Sequence, residues 1–317
     1  MDISLALGGG GTRGISHLGV IDCLEKNGFR IRAVAGTSIG SLIGAVYAAG
    51  KPIPEVLQRI HKIDRAALYR RRPEDGPSLL GHAGLIETLS DLLDDCTFDD
   101  LKTPFGCPAV DLNRLKEVYL TQGSVINAVL ASSAFPGVLP PRPMGDALLV
   151  DGAILDPVPV NLARKLAPGI PVVAVALQSA PEDWGTVTEA NVIDTAPLPI
   201  PIPSQIIQGF SRLRIGQAVR IFTQSMDINS RMVAELRMKI DKPDVIIRPD
   251  VMQFGLFELV DPDILFEKGR EAARARLPEI RRAVSWRGRV RRVINRISPV
   301  DAPELLENVD HLPAQHS

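Results

Sequence analysis

Residues 5–20 read "LALGGGGTRGISHLGV", four consecutive glycines set between an apolar run and an amphipathic one. Residues 3–7 (ISLAL) predict a short strand. Ile15, Leu18, Ile21 and Leu24 recur at steps of three, which predicts a helix over 15–27 closed by Asn27 and Gly28. A glycine run at such a strand-to-helix turn bares backbone N–H groups at the positive end of the helix dipole, where a negative group is held best. A phosphate and a reacting carbonyl oxygen both qualify as that group.

The next elements continue the pattern. "IRAVAG" (31–36) predicts a second strand, and "SIGSLIGAVYAAG" (38–50) a small-residue helix closed by Gly50 and Pro52. Strand, helix, strand and helix in this order predict a parallel sheet with right-handed crossovers. Further helices are expected over 54–72, 84–96, 123–133 and 159–167, and strands over 104–112, 147–152 and 171–177. Beyond about residue 180 the rhythm changes. "TAPLPIPIPSQ" (195–205) is a proline-rich connector that no central strand could contain, and a helical stretch succeeds it to about 238. A strand over 243–251 and a helix over 262–283, interrupted at Pro278, complete the expectation. The fold class expected is a three-layer α/β/α arrangement around a mainly parallel sheet. Residues 1–275 would form its main domain and residues 276–317 a basic helix with a polar tail.

Composition narrows the partners. The 317 residues are 45% hydrophobic and 23% charged with a formal net charge of −1, so no global electrostatic reason favours nucleic acid, and none is expected as a partner. The opening MDISLALGGGG lacks the basic region and apolar length of an export signal, and no later run has the length of a spanning helix, which predicts a cytoplasmic protein. Cys23, Cys96 and Cys107 are odd in number and lack metal-type spacing; they predict thiols rather than disulfides or a zinc site. No metal or cofactor is expected.

Gly9, Gly11 and Gly14 satisfy the dinucleotide pattern GxGxxG in a suitable setting. That reading also needs an acidic residue near the end of the second strand to bind ribose hydroxyls, and the strand ends instead in Val34, Ala35 and Gly36. It leads into "GTSIG", Gly36 to Gly40, a GxSxG sequence between a strand and a helix. In a nucleophile elbow a serine at that position stands exposed at the top of the sheet, with glycines at Gly36 and Gly40 because side chains would clash in so sharp a turn. The bland alternative is that these glycines merely let a helix pack close to the sheet. If Ser38 attacks a carbonyl, Gly9, Gly10, Gly11, Thr12, Arg13 and Gly14 are placed to supply oxyanion donors from the neighbouring strand end. Arg13 would either orient this loop or meet a substrate phosphate.

A serine nucleophile needs a base. His61 and His82 precede any plausible acid, His311 and His316 lie in a polar tail, and His17 falls within the first helix, so no Ser-acid-His order is legible. An aspartate could act directly, more effectively if burial raised its pKa. Asp151, which ends the "ALLVDG" strand and precedes Gly152, is the first candidate, and Asp111 at the end of "CPAVDL" is the competitor. Asp146 and Asp156 read as turn residues.

Three elements now stand in order: "GGGTRG" (9–14), "GTSIG" (36–40) and "DGA" (Asp151, Gly152, Ala153). Together they resemble the patatin-like phospholipase family, as do "ASSAFPGVLPP" (131–141) and "DPVPV" (156–160), so that the resemblance covers roughly residues 3–180. It implies a Ser-Asp dyad of Ser38 and Asp151, an oxyanion hole in the 9–14 loop, and calcium-independent hydrolysis of phospholipid or other lipid acyl esters through an acyl-enzyme. Two rival readings remain: a catalytically idle lipid-binding or regulatory protein of the same fold, and a nucleotide binder using the glycine loop. "RRAVSWRGRVRRVINRI" (281–297) carries seven arginines with Val290, Val293, Ile294 and Ile297 at helical spacing, a pattern suited to peripheral contact with an anionic membrane surface.

Overall fold

A computed structural model describes residues 1–73, 75–184, 210–256, 258–286, 288 and 304–305. Its strands are β1 (Asp2–Leu7), β2 (Arg30–Gly36), β3 (Phe105–Asp111), β4 (Lys116–Leu120), β5 (Arg142–Met144), β6 (Ala147–Asp151), β7 (Val172–Val175), β8 (Val245–Ile247) and β9 (Glu304–Leu305). They form one sheet in the order β5-β6-β3-β2-β1-β7-β8, with β4 pairing β3 and β9. The run from β3 through β2, β1 and β7 to β8 is parallel, whereas β4 and β6 join β3, and β5 joins β6, in antiparallel fashion. The sheet is therefore mainly parallel, with an antiparallel flank beyond β3.

The helices are α1 (Ser16–Lys26), α2 (Ile39–Ala48), α3 (Ile53–Lys62), α4 (Arg65–Leu68), α5 (Ala83–Leu93), α6 (Val125–Ser132), α7 (Val160–Leu166), α8 (Phe210–Asp241) and α9 (Pro262–Val284). Both faces of β1 are covered, which is why the strand reads as a nearly unbroken apolar run. Ile3, Leu5 and Leu7 point into a core shared with α1, α2, α5, α6 and α9. Ala6, Ala35 and Ala174 face the other way, under Val160, Leu162 and Ala163 of α7 and Ala234 and Met238 of α8. Three layers result, as the alternation of short strands and helices predicts.

Several expectations are corrected. The helix read over 54–72 is two helices, α3 and α4, because the chain turns at Ile63, whose backbone is extended. The strands at 116–120 and 142–144 have no counterpart in the sequence reading: KEVYL opens on two charged residues and RPM is three residues around a proline, so neither shows an apolar run. Pro278 does not interrupt α9, since Leu277 and Ile280 are both buried and their packing outweighs the lost backbone bond. Residues 275 and 276 both lie within this helix. Of the basic segment 281–297, residue 287 and residues 289–297 lie outside the described residues, as does the 195–205 connector. Among the described residues no helix is long and apolar enough to cross a membrane.

Helix α9 lies against α1 at a crossing with no room for side chains. A Cβ added to Gly19 would lie 1.9 Å from the Phe266 carbonyl oxygen, and one added to Gly269 would lie 1.9 Å from the Ser16 carbonyl oxygen. These glycines serve close backbone approach rather than an unusual φ. Gly269→Ala is therefore expected to destabilise the protein by about 1–3 kcal/mol, read as a lower denaturation midpoint in urea. An unchanged midpoint would mean that the two helices are not so closely apposed.

Candidate active site

The parallel register sets Leu7 beside Gly36, so the loops leaving β1 and β2 emerge together at the carboxyl edge of the sheet. Thr37 N–H donates to the Leu7 carbonyl oxygen at 3.0 Å and locks the two exits to each other. The chain then reverses sharply at Ser38, whose φ of 53° and ψ of −123° are strained for a residue with a Cβ. The flanking glycines have a steric reason. At Gly36 a Cβ would meet the Gly40 carbonyl oxygen at 2.1 Å, and at Gly40 it would meet the Leu7 carbonyl oxygen at 2.2 Å. Ser38 N–H donates to Ser132 Oγ at 3.2 Å, and Ser41 Oγ donates to the Ser38 carbonyl oxygen at 2.6 Å, so the strained turn is held from both sides.

Asp151 reaches this point from the antiparallel flank. β3 extends past the end of β2, and β6 runs back along it with Asp151 opposite Ala109. Ser38 Oγ donates to Asp151 Oδ2 at 2.8 Å, while Asp151 Oδ1 accepts the Ala153 N–H at 2.8 Å. Asp151 N–H donates to the Ala134 carbonyl oxygen at 3.0 Å, which ties the carboxylate to the stretch after α6. Gly152 is again a matter of space, since a Cβ there would meet the Pro108 carbonyl oxygen at 2.4 Å. Burial pushes the Asp151 carboxyl up to about 6, against the opposing effect of its two hydrogen bonds. Near neutral pH the group is a carboxylate of unusual basicity.

The glycine loop folds directly over the serine. A Cβ on Gly9 would lie 3.4 Å from Ser38 Cβ, and one on Gly14 would strike the Ile39 side chain. Gly11 has φ +56°, with the Leu256 carbonyl oxygen 2.1 Å from where a Cβ would sit, so no other residue fits. Of the six residues expected to supply donors, two have amides that point elsewhere. Gly9 N–H donates to the Pro157 carbonyl oxygen and Thr12 N–H to that of Leu256. Gly10 and Gly11 carry amides with no acceptor among the described residues. Arg13 is buried, donating from Nε to the Phe254 carbonyl oxygen at 2.7 Å and lying 3.7 Å from Asp227 of α8. Of the two roles weighed for it, the contacts are those of a brace on the loop.

The remaining candidates fall apart from this cluster. Asp111 is buried, yet the Arg114 guanidinium at 2.8 Å and the Asn113 and Leu148 amides outweigh that burial and hold its carboxyl below the usual range. It makes no bond to Ser38. Asp146 sits in the β5–β6 turn, paired with Arg114, as expected. Asp156 does not behave as a turn residue: it is fully buried, 3.3 Å from Arg237 of α8, and its carbonyl oxygen accepts Thr37 Oγ1–H at 2.8 Å. Burial and the nearby Glu117 carboxylate raise its carboxyl well above the ordinary range.

No histidine among the described residues bonds Ser38 or Asp151. Burial lowers His17 to about 4, so it is neutral, and its Nε2 meets the Gly8 carbonyl oxygen at 2.8 Å to anchor the start of the loop. Burial likewise lowers His82 to about 4, and His61 pairs with Asp263 on the surface. His311 and His316 lie outside the described residues. Cys23, Cys96 and Cys107 are all free. Sequence reasoning missed Ser132, and also Gln178, which donates from Nε2 to the Gly9 carbonyl oxygen at 3.2 Å. For Ser132 the "ASSAFPG" stretch carried the signal; for Gln178 there was none.

The patatin-like phospholipase family model matches residues 5–164. That interval holds the glycine loop, the serine turn and the Asp151 strand, and the chain belongs to this family. An uncharacterized NTE family protein of Mycobacterium tuberculosis strain H37Rv is 33% identical over 160 residues, 50% of this chain and 44% of that protein. Lysophospholipase NTE1 of Pyricularia oryzae is 27% identical over 289 residues, 84% of this chain but 18% of the relative. The chain thus spans less than half the length of either relative. VipD from Legionella pneumophila aligns with a TM-score of 0.50 at 13% identity over 88% of this chain and 67% of its own, a likeness of fold.

The raised carboxyl has a consequence for stability. Because Asp151 binds its proton more tightly when folded, its ionisation costs the fold nothing below pH 4 and progressively more as pH rises to about 6. Asp151→Asn removes this cost, so the variant should be more stable than the parent above pH 6 by roughly 1–3 kcal/mol, with the difference vanishing near pH 4. Urea melts of both proteins across that range test it. A variant less stable at pH 8 would contradict a desolvated carboxylate.

Proposed function

We propose that the protein hydrolyses lipid acyl esters with Ser38 as nucleophile and Asp151 as its base. One observation carries the reading: the 2.8 Å hydrogen bond from the Ser38 hydroxyl to a buried carboxylate at a strained strand-to-helix turn. Ser38 Oγ attacks the ester carbonyl carbon as its proton passes to Asp151 Oδ2. The carbonyl oxygen becomes an oxyanion and accepts from the Gly10 and Gly11 amides, which have no other acceptor among the described residues. Collapse expels the alcohol, which takes the proton from Asp151 and leaves an acyl ester on Ser38. Water then gives its proton to Asp151, attacks the acyl carbon, and releases the fatty acid as the proton returns to Ser38.

A carboxylate with an ordinary pKa near 3.9 is a poor base for a hydroxyl, and burial narrows that mismatch. The remaining barrier falls to the oxyanion donors, each of which is typically worth about 3 kcal/mol. Single-chain phospholipids are the substrate class we assign, following the lysophospholipase name of the Pyricularia oryzae relative.

Turnover of a p-nitrophenyl acyl ester tests this. Ser38→Ala should abolish it, and Asp151→Asn should lower it by roughly 10²–10⁴-fold. Because the base must be ionised, the parent rate should climb with pH and reach half its plateau at about 6. Residual turnover in Ser38→Ala equal to the parent, or a larger loss from Asp111→Asn than from Asp151→Asn, would overturn the assignment.

A further inference from the structure

Helix α8 is turned inside out. Asp227, Arg231, Glu235, Arg237 and Asp241 face the protein: Asp227 meets Arg231 at 2.6 Å, Glu235 meets Arg248 at 2.5 Å, and Arg237 lies 3.3 Å from each of Glu117, Asp156 and Asp241. Ala234 and Met238 also pack inward, but between residues 221 and 240 the other large apolar side chains include six that face outward. Ile221 and Ile228 are each 64% exposed, Leu236 and Ile240 each 52%, Met232 47% and Phe222 41%. At 3.6 residues per turn these six fall within an arc of about 120° and run about 28 Å along the helix. Ser225, Asn229 and Lys239 are the polar residues exposed in that arc, and no acidic side chain lies in it. A surface helix ordinarily shows the opposite arrangement, with its apolar stripe on the core.

One end of the stripe lies beside a segment that leads to the candidate active site. At its start Phe222 lies 3.8 Å from where a Cβ on Gly137 would sit, in the stretch that also supplies the Ala134 carbonyl oxygen to Asp151. Further along the helix, Asp227 reaches Arg13 of the glycine loop. The helix thus touches two of the segments that flank the serine turn, the stretch after α6 and the glycine loop.

We infer that this outward face of α8 is a docking surface for the acyl region of a lipid layer. The inference rests on the lipid-ester reading of Ser38, which gives an interface a reason to be brought to this edge. A continuous apolar phase suits a stripe that is long, free of acids and almost free of charge, because burial there costs no unpaired ion. A second copy of the chain would find no complementary charges along the stripe to set a register. Attraction of this kind depends on apolar area and therefore persists at high salt, unlike contact through the arginines of 281–297.

Binding is measured in a Ser38→Ala background by co-sedimentation of the full chain with phosphatidylcholine vesicles, so that no turnover is required. The exchanges Ile228→Ser, Met232→Ser and Leu236→Ser together should weaken binding by about tenfold or more at low and at high salt. Ile228→Asp alone serves as a second variant and should act in the same direction. With Ser38 intact, the triple variant should hydrolyse a short soluble p-nitrophenyl ester at the parent rate. Unchanged vesicle binding would overturn the inference. So would conversion of a dimer to a monomer, in light scattering, without loss of vesicle binding, since the face would then belong to a second copy. Failure of every form to hydrolyse the soluble ester would instead strike at the reading of Ser38 and leave the vesicle measurement to decide the surface by itself.

Discussion

A carboxylate held out of water against a serine hydroxyl is the constraint around which the rest is arranged. Asp151 is buried, its backbone N–H is held by the Ala134 carbonyl oxygen, and its carboxylate oxygens are taken by Ser38 and Ala153. Such a group is unfavourable for folding at neutral pH. It persists because three separate strand ends converge on it: β1 brings the glycine loop, β2 the strained serine, and β6 the aspartate. The small residues at the convergence are a result of this crowding. Gly36, Gly40 and Gly152 each sit where a methyl group would run into a neighbouring carbonyl oxygen.

A second layer of charge stands behind the first. Arg237 faces three acidic groups, Glu117, Asp156 and Asp241, and among the described residues no second cation bridges all three. Asp156 in turn accepts a hydrogen bond at its carbonyl oxygen from Thr37, the residue before Ser38. Helix α8 is thereby fastened to the turn that carries Ser38 by groups that are costly to separate once buried. The same fastening turns its apolar side outward, so the anchoring of the site and the exposed stripe are two aspects of one helix orientation.

Much of this was legible in the sequence. The strand, glycine loop, helix, strand and GTSIG order places β1, α1, β2 and α2 to within a residue or two, because each is bounded by glycine chemistry that leaves few alternatives. The place of Asp151 before Gly152 favours it over Asp111, and the two differ in the structure as burial and pairing require: one carboxyl is raised, the other lowered beside Arg114. The rest depends on contacts distant in the chain. Nothing near Asp156 reveals that Arg237, some eighty residues later, lies beside it. Nor does the glycine loop announce that Gly9 and Thr12 spend their amides on Pro157 and Leu256, leaving Gly10 and Gly11. β4 opens on two charged residues and β5 has only three residues around a proline, so neither shows an apolar run, and the continuity of α9 through Pro278 reflects packing that no local propensity records.

The most direct measurement is a crystal structure of the protein after reaction with an alkyl fluorophosphonate, whose phosphoryl oxygen stands where the oxyanion would form. The expected result is phosphorus bonded to Ser38 Oγ, with that oxygen within hydrogen-bond reach of the Gly10 and Gly11 amides and Asp151 still beside the serine. Attachment at another residue, or a phosphoryl oxygen turned away from the glycine loop, would contradict the assignment of nucleophile, base and donors together.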